Sequence, residues 1–213
     1  MSPVSRREAL VLAGLLGAGG VALVTLRSTA PVGVVLDQSP ALQAAQAEQR
    51  PEWGPVDADL SLLVFTDFNC GACRSGHPDM MAAAKADGSV RIRFFDWPIF
   101  GDDSRAAAIG ALAAERQGLY LPVHSRLMAG GRADGPSAEA ALSAEGGNVV
   151  AYRETLTRDS PAFEGQLARN AFHAFALGLG GTPGHLIGRV LVRGAMPERS
   201  FRRAFDQARA LNR

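Results

Sequence analysis

Two cysteines separated by two residues are the side chains best suited to chemistry in this sequence. Cys70 and Cys73 flank Gly71-Ala72, and the chain of 213 residues contains no other cysteine. A structural disulfide has its largest effect when it closes a long loop, which this pair does not. A Cys-x-x-Cys pair instead favours thiolate chemistry, in which one sulfur attacks a disulfide and the other resolves the mixed product. The spacing therefore predicts thiol–disulfide exchange.

Metal binding is the main alternative for the same residues, with His77 as a third ligand. Structural zinc sites use four ligands, commonly two Cys/His pairs, and the sequence has no second pair at similar spacing. Soft thiolates would favour copper among the other metals. No glycine-rich phosphate loop follows a predicted strand, so no nucleotide is implied. We expect no cofactor and no bound metal, and we keep a copper-handling or chaperone-like binding protein as the alternative function.

The segments around the cysteines predict a strand followed by a helix. Residues 60–65 are apolar and rich in strand formers, and helical composition extends from Cys70 to about Asp87, where Asp87-Gly88 is a stop signal. Cys70 would then lie at a helix N-terminus, where free N–H groups and the helix dipole stabilise a thiolate. Cys73 would lie one turn later, more deeply buried, as the resolving thiol.

The rest of the chain predicts a strand–helix–strand frame that is interrupted by a block of helices. A strand is predicted at 90–95, two short strands at 185–187 and 190–192, and a final helix at 198–211. Between Ser104 and about Leu177 alanine-rich stretches replace strand patterns. Helices in this block are predicted at residues 106–117, 119–128, 137–145, 149–157 and 163–177. The order of elements predicts an α/β fold with a helical insertion.

The N-terminus has the pattern of an export signal. Arg6-Arg7 precede an apolar, glycine-containing run from Ala9 to Leu26, which is typical of a twin-arginine signal. Small residues at 28–30 offer a cleavage site after Ala30, but residues 9–26 are also nearly long enough to remain as a membrane anchor. Both interpretations deliver the chain to the periplasm, where disulfides persist.

Three segments resemble the DsbA-like thiol–disulfide oxidoreductases. Residues 62–73, followed by Pro78, are similar to that family's active-site segment; residues 100–108 resemble the entry to its helical insertion; and residues 181–195 resemble its cis-proline loop and terminal hairpin. The resemblance covers about residues 58–211. It implies a thioredoxin fold with an inserted α-helical domain. The expected organisation is an export signal or anchor at 1–30, a lead-in segment at 31–58, a thioredoxin-like domain at 59–103 and 178–213, and the helical insertion at 104–177.

The resemblance also implies roles for particular residues. Cys70 would be the nucleophile and Cys73 the resolving thiol, while Thr182 and a cis Pro183 would bind the backbone of a substrate chain. The partners would be exported polypeptides with thiols or disulfides and a membrane redox protein that recycles the dithiol. DsbA oxidases often carry Pro-His between the cysteines, and the Gly71-Ala72 pair here lacks that imidazole. We therefore hypothesise a less oxidising potential. The direction of catalysis stays open.

Other polar and aromatic residues have two interpretations each. Asp67 is either a proton acceptor for Cys73 or a capping or solvated loop acid, and His77 either tunes the thiols or lies on an exposed helix surface. His185 follows the proline loop and is a candidate for approaching the dithiol. The remaining histidines and most aromatics are expected to be packing residues. These are His124 and His173 (packing or surface), and Trp53, Trp97, Phe94, Phe95, Phe172 and Phe175 (core).

Composition and charge exclude several classes of function. Hydrophobic residues make up 47% and charged residues 20% of the chain, which excludes a disordered protein. The formal net charge is +1, and removal of the first 30 residues takes away three arginines and one glutamate, leaving a slight acidic excess. A chain with no basic stripe has little to attract a phosphate backbone, so no nucleic-acid partner is expected.

Overall fold

A computed structural model describes residues 30–211 of the chain. Within the described residues, the chain from Val32 onward forms one compact unit, which carries the fold described below. The predicted export signal at residues 1–30 lies outside the described residues, apart from Ala30. In the part that the structure describes, no helix has both the length and the apolar character needed to cross a bilayer.

A mixed sheet forms the centre of the fold. Within residues 30–211 its strands are β1 (Val34–Val35), β2 (Glu52–Trp53), β3 (Leu60–Thr66), β4 (Val90–Asp96), β5 (Gly184–Ile187) and β6 (Val190–Arg193). They lie in the order β1-β6-β5-β3-β4-β2. β3 is parallel to β4 and antiparallel to β5. The strands predicted at 60–65, 90–95, 185–187 and 190–192 are confirmed, and β3 is central.

Seven helices accompany the sheet in the described residues. They are α1 (Pro40–Ala47), α2 (Gly71–Asp87), α3 (Asp102–Glu115), α4 (Tyr120–Ala129), α5 (Gly135–Ala144), α6 (Val149–Ala176) and α7 (Glu198–Ala210). Helices α3 to α6 fall between β4 and β5, which confirms the predicted α/β architecture with an inserted helical block. Helix α2 ends as predicted at Gly88, whose φ of 78° suits a glycine and whose N–H donates to the Ala84 carbonyl.

The alternation of side chains along β3 divides the core in two. Leu62 and Val64 point to the face covered by α2 and α7, in a core that continues into the helical insertion. Leu63 and Phe65 point to the opposite face, which α1 and the end of α6 cover. The nearly continuous apolar run of this strand is therefore explained by helices on both sides of the sheet.

The segment before β3 contributes to both edges of the sheet. β1 pairs antiparallel with β6, and β2 pairs antiparallel with β4. Neither strand was predicted, because two residues are too few for an alternating pattern to be visible. The same segment contains α1, whose first turn is capped by the Ser39 side chain.

Two predictions within the helical block are wrong. The separate helices expected at 149–157 and 163–177 are one continuous helix, α6, which passes through Pro161. Phe172 and Phe175 were expected in the core, but they are 67% and 65% exposed. Both lie on the outer side of α6, where an aromatic residue identified by type alone cannot be told from a core residue. Trp97, Phe94 and Phe95 are buried as predicted.

Candidate active site

The loop between β3 and α2 is held by the carboxylate of Asp67, which is 1% exposed. Its Oδ1 accepts a hydrogen bond from the Asn69 N–H at 2.7 Å. Its Oδ2 accepts from the N–H groups of Ile99 and Phe100 at 2.6 and 3.0 Å. Asp67 is thus neither solvated nor a simple helix cap, because its carboxylate joins the dithiol loop to the loop that follows β4.

Cys70 lies at the N-cap of α2, as predicted. Its sulfur accepts a hydrogen bond from the Cys73 N–H at 3.2 Å, which satisfies one of the free donors of the first turn. The Cys70 thiol donates to the Thr182 carbonyl at 3.4 Å. The Thr182–Pro183 peptide bond is cis. The structure therefore brings together the dithiol and the proline loop, which are more than 100 residues apart in the sequence.

The environment of Cys73 strongly favours its protonated form. The expectation that Cys73 is the more buried thiol is wrong, since each residue is 3% exposed. Burial, followed by the hydrogen bond with Cys70, raises the pKa of Cys73 to about 12. The Asp67 backbone N–H and the hydroxyls of Thr66 and Thr182 act in the opposite direction. At neutral pH Cys73 is therefore a thiol in a pocket whose donors are placed to receive its thiolate.

Asn69 and Arg74 attach the dithiol loop to the helical insertion, a role that was not predicted. The Asn69 Nδ2 donates to the Ser104 hydroxyl and to the Ala133 carbonyl, and its Oδ1 accepts from the Ala133 N–H at 2.8 Å. The Arg74 guanidinium donates to the carbonyl of Phe68 in the dithiol loop and to that of Leu127 in α4. No local signal marks these residues, because their partners lie up to 64 residues away.

His77 lies one turn beyond Cys73, half-buried against the insertion rather than on an exposed surface. Its ring centroid is 5.1 Å from that of His124, which is buried and also contacts Phe68 and Phe94. Burial lowers the pKa of His77, and burial together with the nearby His77 holds the pKa of His124 well below its usual value. Both imidazoles are consequently neutral at pH 7.

His77 was a candidate metal ligand, and His185 was a candidate for approaching the dithiol. Among residues 30–211, no three His, Cys, Asp or Glu side chains are grouped so that they could hold a metal ion. His185 lies in β5, where its ring packs against Phe201 at a centroid distance of 5.0 Å. Burial lowers the pKa of His185 to about 4.

Four features define this class of protein as a thioredoxin fold with an inserted helical domain. They are the central strand β3, the Cys-x-x-Cys at the start of α2, the cis-proline loop that faces it, and the helical insertion. The chain belongs to the family of DSBA-like thioredoxin domains, whose model matches residues 61–206. Membership of this family supports thiol–disulfide oxidoreductase activity as the general class of function. The comparison with curated proteins finds no match.

Solved structures of similar fold agree with this assignment. A thioredoxin-like oxidoreductase from Silicibacter pomeroyi is 28% identical, with a TM-score of 0.74 over 82% of this chain and 99% of that chain. The thiol–disulfide exchange protein alpha-DsbA2 from Wolbachia pipientis is 25% identical, with a TM-score of 0.70 over 74% and 86%. The catalytic domain of ScsC from Proteus mirabilis is 25% identical, with a TM-score of 0.70 over 80% and 97%.

Proposed function

We propose that this protein is an exported thiol–disulfide oxidoreductase that exchanges disulfides with polypeptides through Cys70 and Cys73. The observation that carries the proposal is the position of the Cys70 sulfur. It lies at the N-terminus of α2, accepts the Cys73 N–H at 3.2 Å and lies 3.4 Å from the Thr182 carbonyl beside Pro183. A sulfur at this position is stabilised as a thiolate by free N–H groups and the helix dipole.

The exchange follows from the different environments of the two sulfurs. The Cys70 thiolate attacks a substrate disulfide, forming a mixed disulfide and releasing the other substrate sulfur as a thiolate. Cys73 then loses its proton and attacks the Cys70 sulfur, so that the protein disulfide forms and the second substrate thiolate leaves. The hydroxyls of Thr66 and Thr182 stabilise the transient Cys73 thiolate. The same steps in reverse oxidise a dithiol substrate.

The backbone of Thr182 and Pro183 is proposed to bind the substrate chain beside the dithiol. The Thr182 carbonyl already faces the Cys70 sulfur, and exposed Gly71 and Ala72 leave an approach from solvent on that side of the helix. A substrate strand that pairs with this loop would bring its own sulfur next to Cys70. Asp67 and His77 are proposed as tuning residues, because each lies in or directly behind the loop that carries the thiols.

Export is proposed from the paired arginines and the apolar run at residues 9–26. A structure of similar fold and 24% identity is that of a periplasmic thioredoxin-like protein from Salmonella enterica serovar Typhimurium. Polypeptides in that compartment and a membrane redox protein that recycles the dithiol are the proposed partners. Residues 1–31 fused to a reporter that works only after export provide the test, and an active reporter after Arg6→Lys with Arg7→Lys would contradict the twin-arginine route.

Exchange with a model peptide tests the role of the cysteines. We expect Cys70→Ala to abolish both oxidation and reduction of the peptide. Cys73→Ala should still form a mixed disulfide with the peptide but should not release it, because the resolving thiol is missing. Mass spectrometry of the quenched reaction distinguishes these outcomes. Activity of Cys70→Ala equal to that of the native protein would remove the catalytic role of Cys70.

The redox potential is expected to lie below that of DsbA, which is about −120 mV. Gly71-Ala72 supplies no imidazole to stabilise the Cys70 thiolate, and a less stable thiolate favours the disulfide form. Equilibration with glutathione at defined ratios, followed by separation of the two redox forms, gives the value. A measured potential close to about −120 mV would refute the hypothesis.

A further inference from the structure

A buried histidine of the insertion packs against the segment that carries the dithiol. His124 of α4 is 1% exposed, and its ring centroid is 5.1 Å from that of Phe68, two residues before Cys70. The same ring is 5.1 Å from that of His77 on α2 and 4.6 Å from that of Phe94 on β4. One imidazole therefore joins the insertion to the dithiol loop, to the helix after it and to the sheet.

The surroundings of His124 suit a neutral imidazole. Its Nε2 is buried and has no hydrogen-bond partner among residues 30–211. Besides His77, the rings in contact with it are the aromatic rings of Phe68, Phe94 and Tyr120. Burial, followed by the charge of a protonated His77, holds the pKa of His124 well below its usual value, and burial also lowers the pKa of His77. A proton bound by either ring is therefore poorly stabilised.

The acids near Tyr120 and the dithiol loop are poor partners for an imidazolium. The Tyr120 hydroxyl binds Asp96, and burial raises the pKa of Asp96 to about 8. Burial also raises the pKa of Glu115. In the dithiol loop, the Asp67 carboxylate already accepts three backbone N–H groups. Two of these acids are thus held toward their neutral forms, and the third is occupied by donors of its own and the adjoining loop.

The charged side chains of α2 and α4 do not stabilise an imidazolium either. The Arg74 guanidinium, itself a cation, bridges the dithiol loop and α4. Arg126 of α4 is half-exposed and pairs with Glu145. On α2, Asp79 lies two residues after His77, and residues at that spacing do not face each other on a helix. Within residues 30–211, no carboxylate is among the groups that shift the pKa of either imidazole.

We propose that His124 and His77 form a pH-sensitive joint between the dithiol segment and the insertion, and that protonation of either ring loosens it. Once the two surfaces separate, both rings regain water and the ordinary histidine pKa of about 6.5. The packed form therefore binds fewer protons than the separated form. The joint is at full strength above pH 6.5. Below it, the ratio of packed to separated forms falls by up to about tenfold per pH unit for each histidine.

Contacts beside the two rings connect the joint to the dithiol. Asn69, next to Cys70, binds the backbone of Ala133 through both ends of its amide. When the joint opens, Phe68 loses its contact with His124, and the loop that holds Cys70 at the start of α2 loses its support from the insertion. We expect acid to slow exchange for this reason. That consequence rests on the proposed function, whereas the joint itself does not depend on it.

Hydrogen exchange of single amides, followed by NMR of the reduced protein, tests the proposal. The Ala133 N–H is buried and donates to the Asn69 Oδ1 at 2.8 Å, so its protection factor reports on the joint. The Gly188 N–H donates to the Ser61 carbonyl at 3.0 Å, at the opposite end of β3 from the dithiol, and reports on general loss of structure. From pH 7.5 to 5 we expect the protection of Ala133 to fall about tenfold or more, and that of Gly188 to fall less. A constant ratio of the two protection factors would overturn the proposal.

Variants that cannot take up a proton assign the effect to the two rings. His124→Phe keeps an aromatic ring in the same contacts and should remove most of the fall in protection at Ala133. His77→Gln, at a half-buried position, should reduce the fall as well, and it provides the test if His124→Phe does not fold. His185→Phe makes the same change at a buried histidine of β5 and should leave the fall unchanged. A native pH dependence in a folded variant of either joint histidine, or its loss in His185→Phe, would contradict the assignment.

Discussion

Asp96 is a buried acid at the end of β4 that the exchange chemistry does not use. Its side chain is 1% exposed, and the Tyr120 hydroxyl lies 2.9 and 3.0 Å from its two carboxyl oxygens. Burial raises the pKa of Asp96 to about 8, assisted by the charges of Glu115 and Asp67 and opposed by the Tyr120 hydrogen bond. At neutral pH the native protein therefore holds a proton there that the unfolded chain has released.

The pH dependence of stability should reveal this proton. Between about pH 4 and pH 8 the native state binds one more proton at Asp96 than the unfolded state, so the free energy of unfolding falls as the pH rises. We expect a contribution of up to about 1.4 kcal/mol per pH unit. Asp96→Asn keeps an acceptor for Tyr120 and should remove this contribution. Urea unfolding of both proteins from pH 4.5 to 7.5 gives the difference in slope, and identical slopes would show that Asp96 ionises normally.

At the scale of elements, helix α6 contains a proline without being divided by it. Pro161 is exposed near the middle of Val149–Ala176, and it has no N–H to donate to the carbonyl one turn earlier. The helix continues because both of its halves are held by burial. Tyr152 packs in the first half, and Phe163 and Leu167 pack in the second. Tertiary packing here outweighs the local preference of proline.

Replacement of this proline should therefore stabilise the protein. Pro161→Ala restores a donor and relieves the ring clash, which together cost about 3 kcal/mol in a helix interior. It also increases the entropy of the unfolded chain, which offsets up to about 1 kcal/mol. We expect a gain of about 1–2 kcal/mol in the free energy of unfolding, measured with urea. The neighbouring Ser160→Ala should change it by about 0.5 kcal/mol or less; an equal effect of the two substitutions would contradict this account.

At the scale of the whole molecule, the segment at 31–58 is part of the fold. It provides β1 at one edge of the sheet, β2 at the other and α1 across one face. Leu42 of α1 is fully buried against a core that includes Leu63 and Phe65 of β3. An unpaired edge strand is open to association with other chains, so β1 and β2 also cover the edges that β6 and β4 would otherwise present.

Truncation of Leu42 measures the contribution of this segment. Leu42→Ala should lower the free energy of unfolding by about 2–4 kcal/mol, because it leaves a cavity beneath the sheet. Val56→Ala changes a side chain of the same segment that is 87% exposed, and it should have an effect within about 0.5 kcal/mol. Denaturant midpoints with equal m-values provide the comparison. A Leu42→Ala protein as stable as Val56→Ala would mean that α1 does not pack as described.

The sequence by itself determined the features that depend on short stretches of chain. Strand β3, the dithiol at the start of α2, the stop at Gly88 and the run of helices before β5 all follow from patterns within about ten residues. The Thr182-Pro183 dipeptide was likewise recognisable from its type and its place before a strand. Such signals are local because periodicity, capping and turn preferences act between residues close in the chain.

The tertiary structure decided which distant residues meet. The Asp67 carboxylate accepts from the N–H groups of Ile99 and Phe100, Asn69 binds Ala133, and the Arg74 guanidinium binds the Leu127 carbonyl. In the tertiary structure the side chains of Phe172 and Phe175 are also exposed, and α6 is continuous across Pro161. Each of these outcomes depends on what packs against the residue from elsewhere in the chain. Residue type and local spacing carry no information on that partner, because burial and hydrogen bonding are settled only when the layers come together.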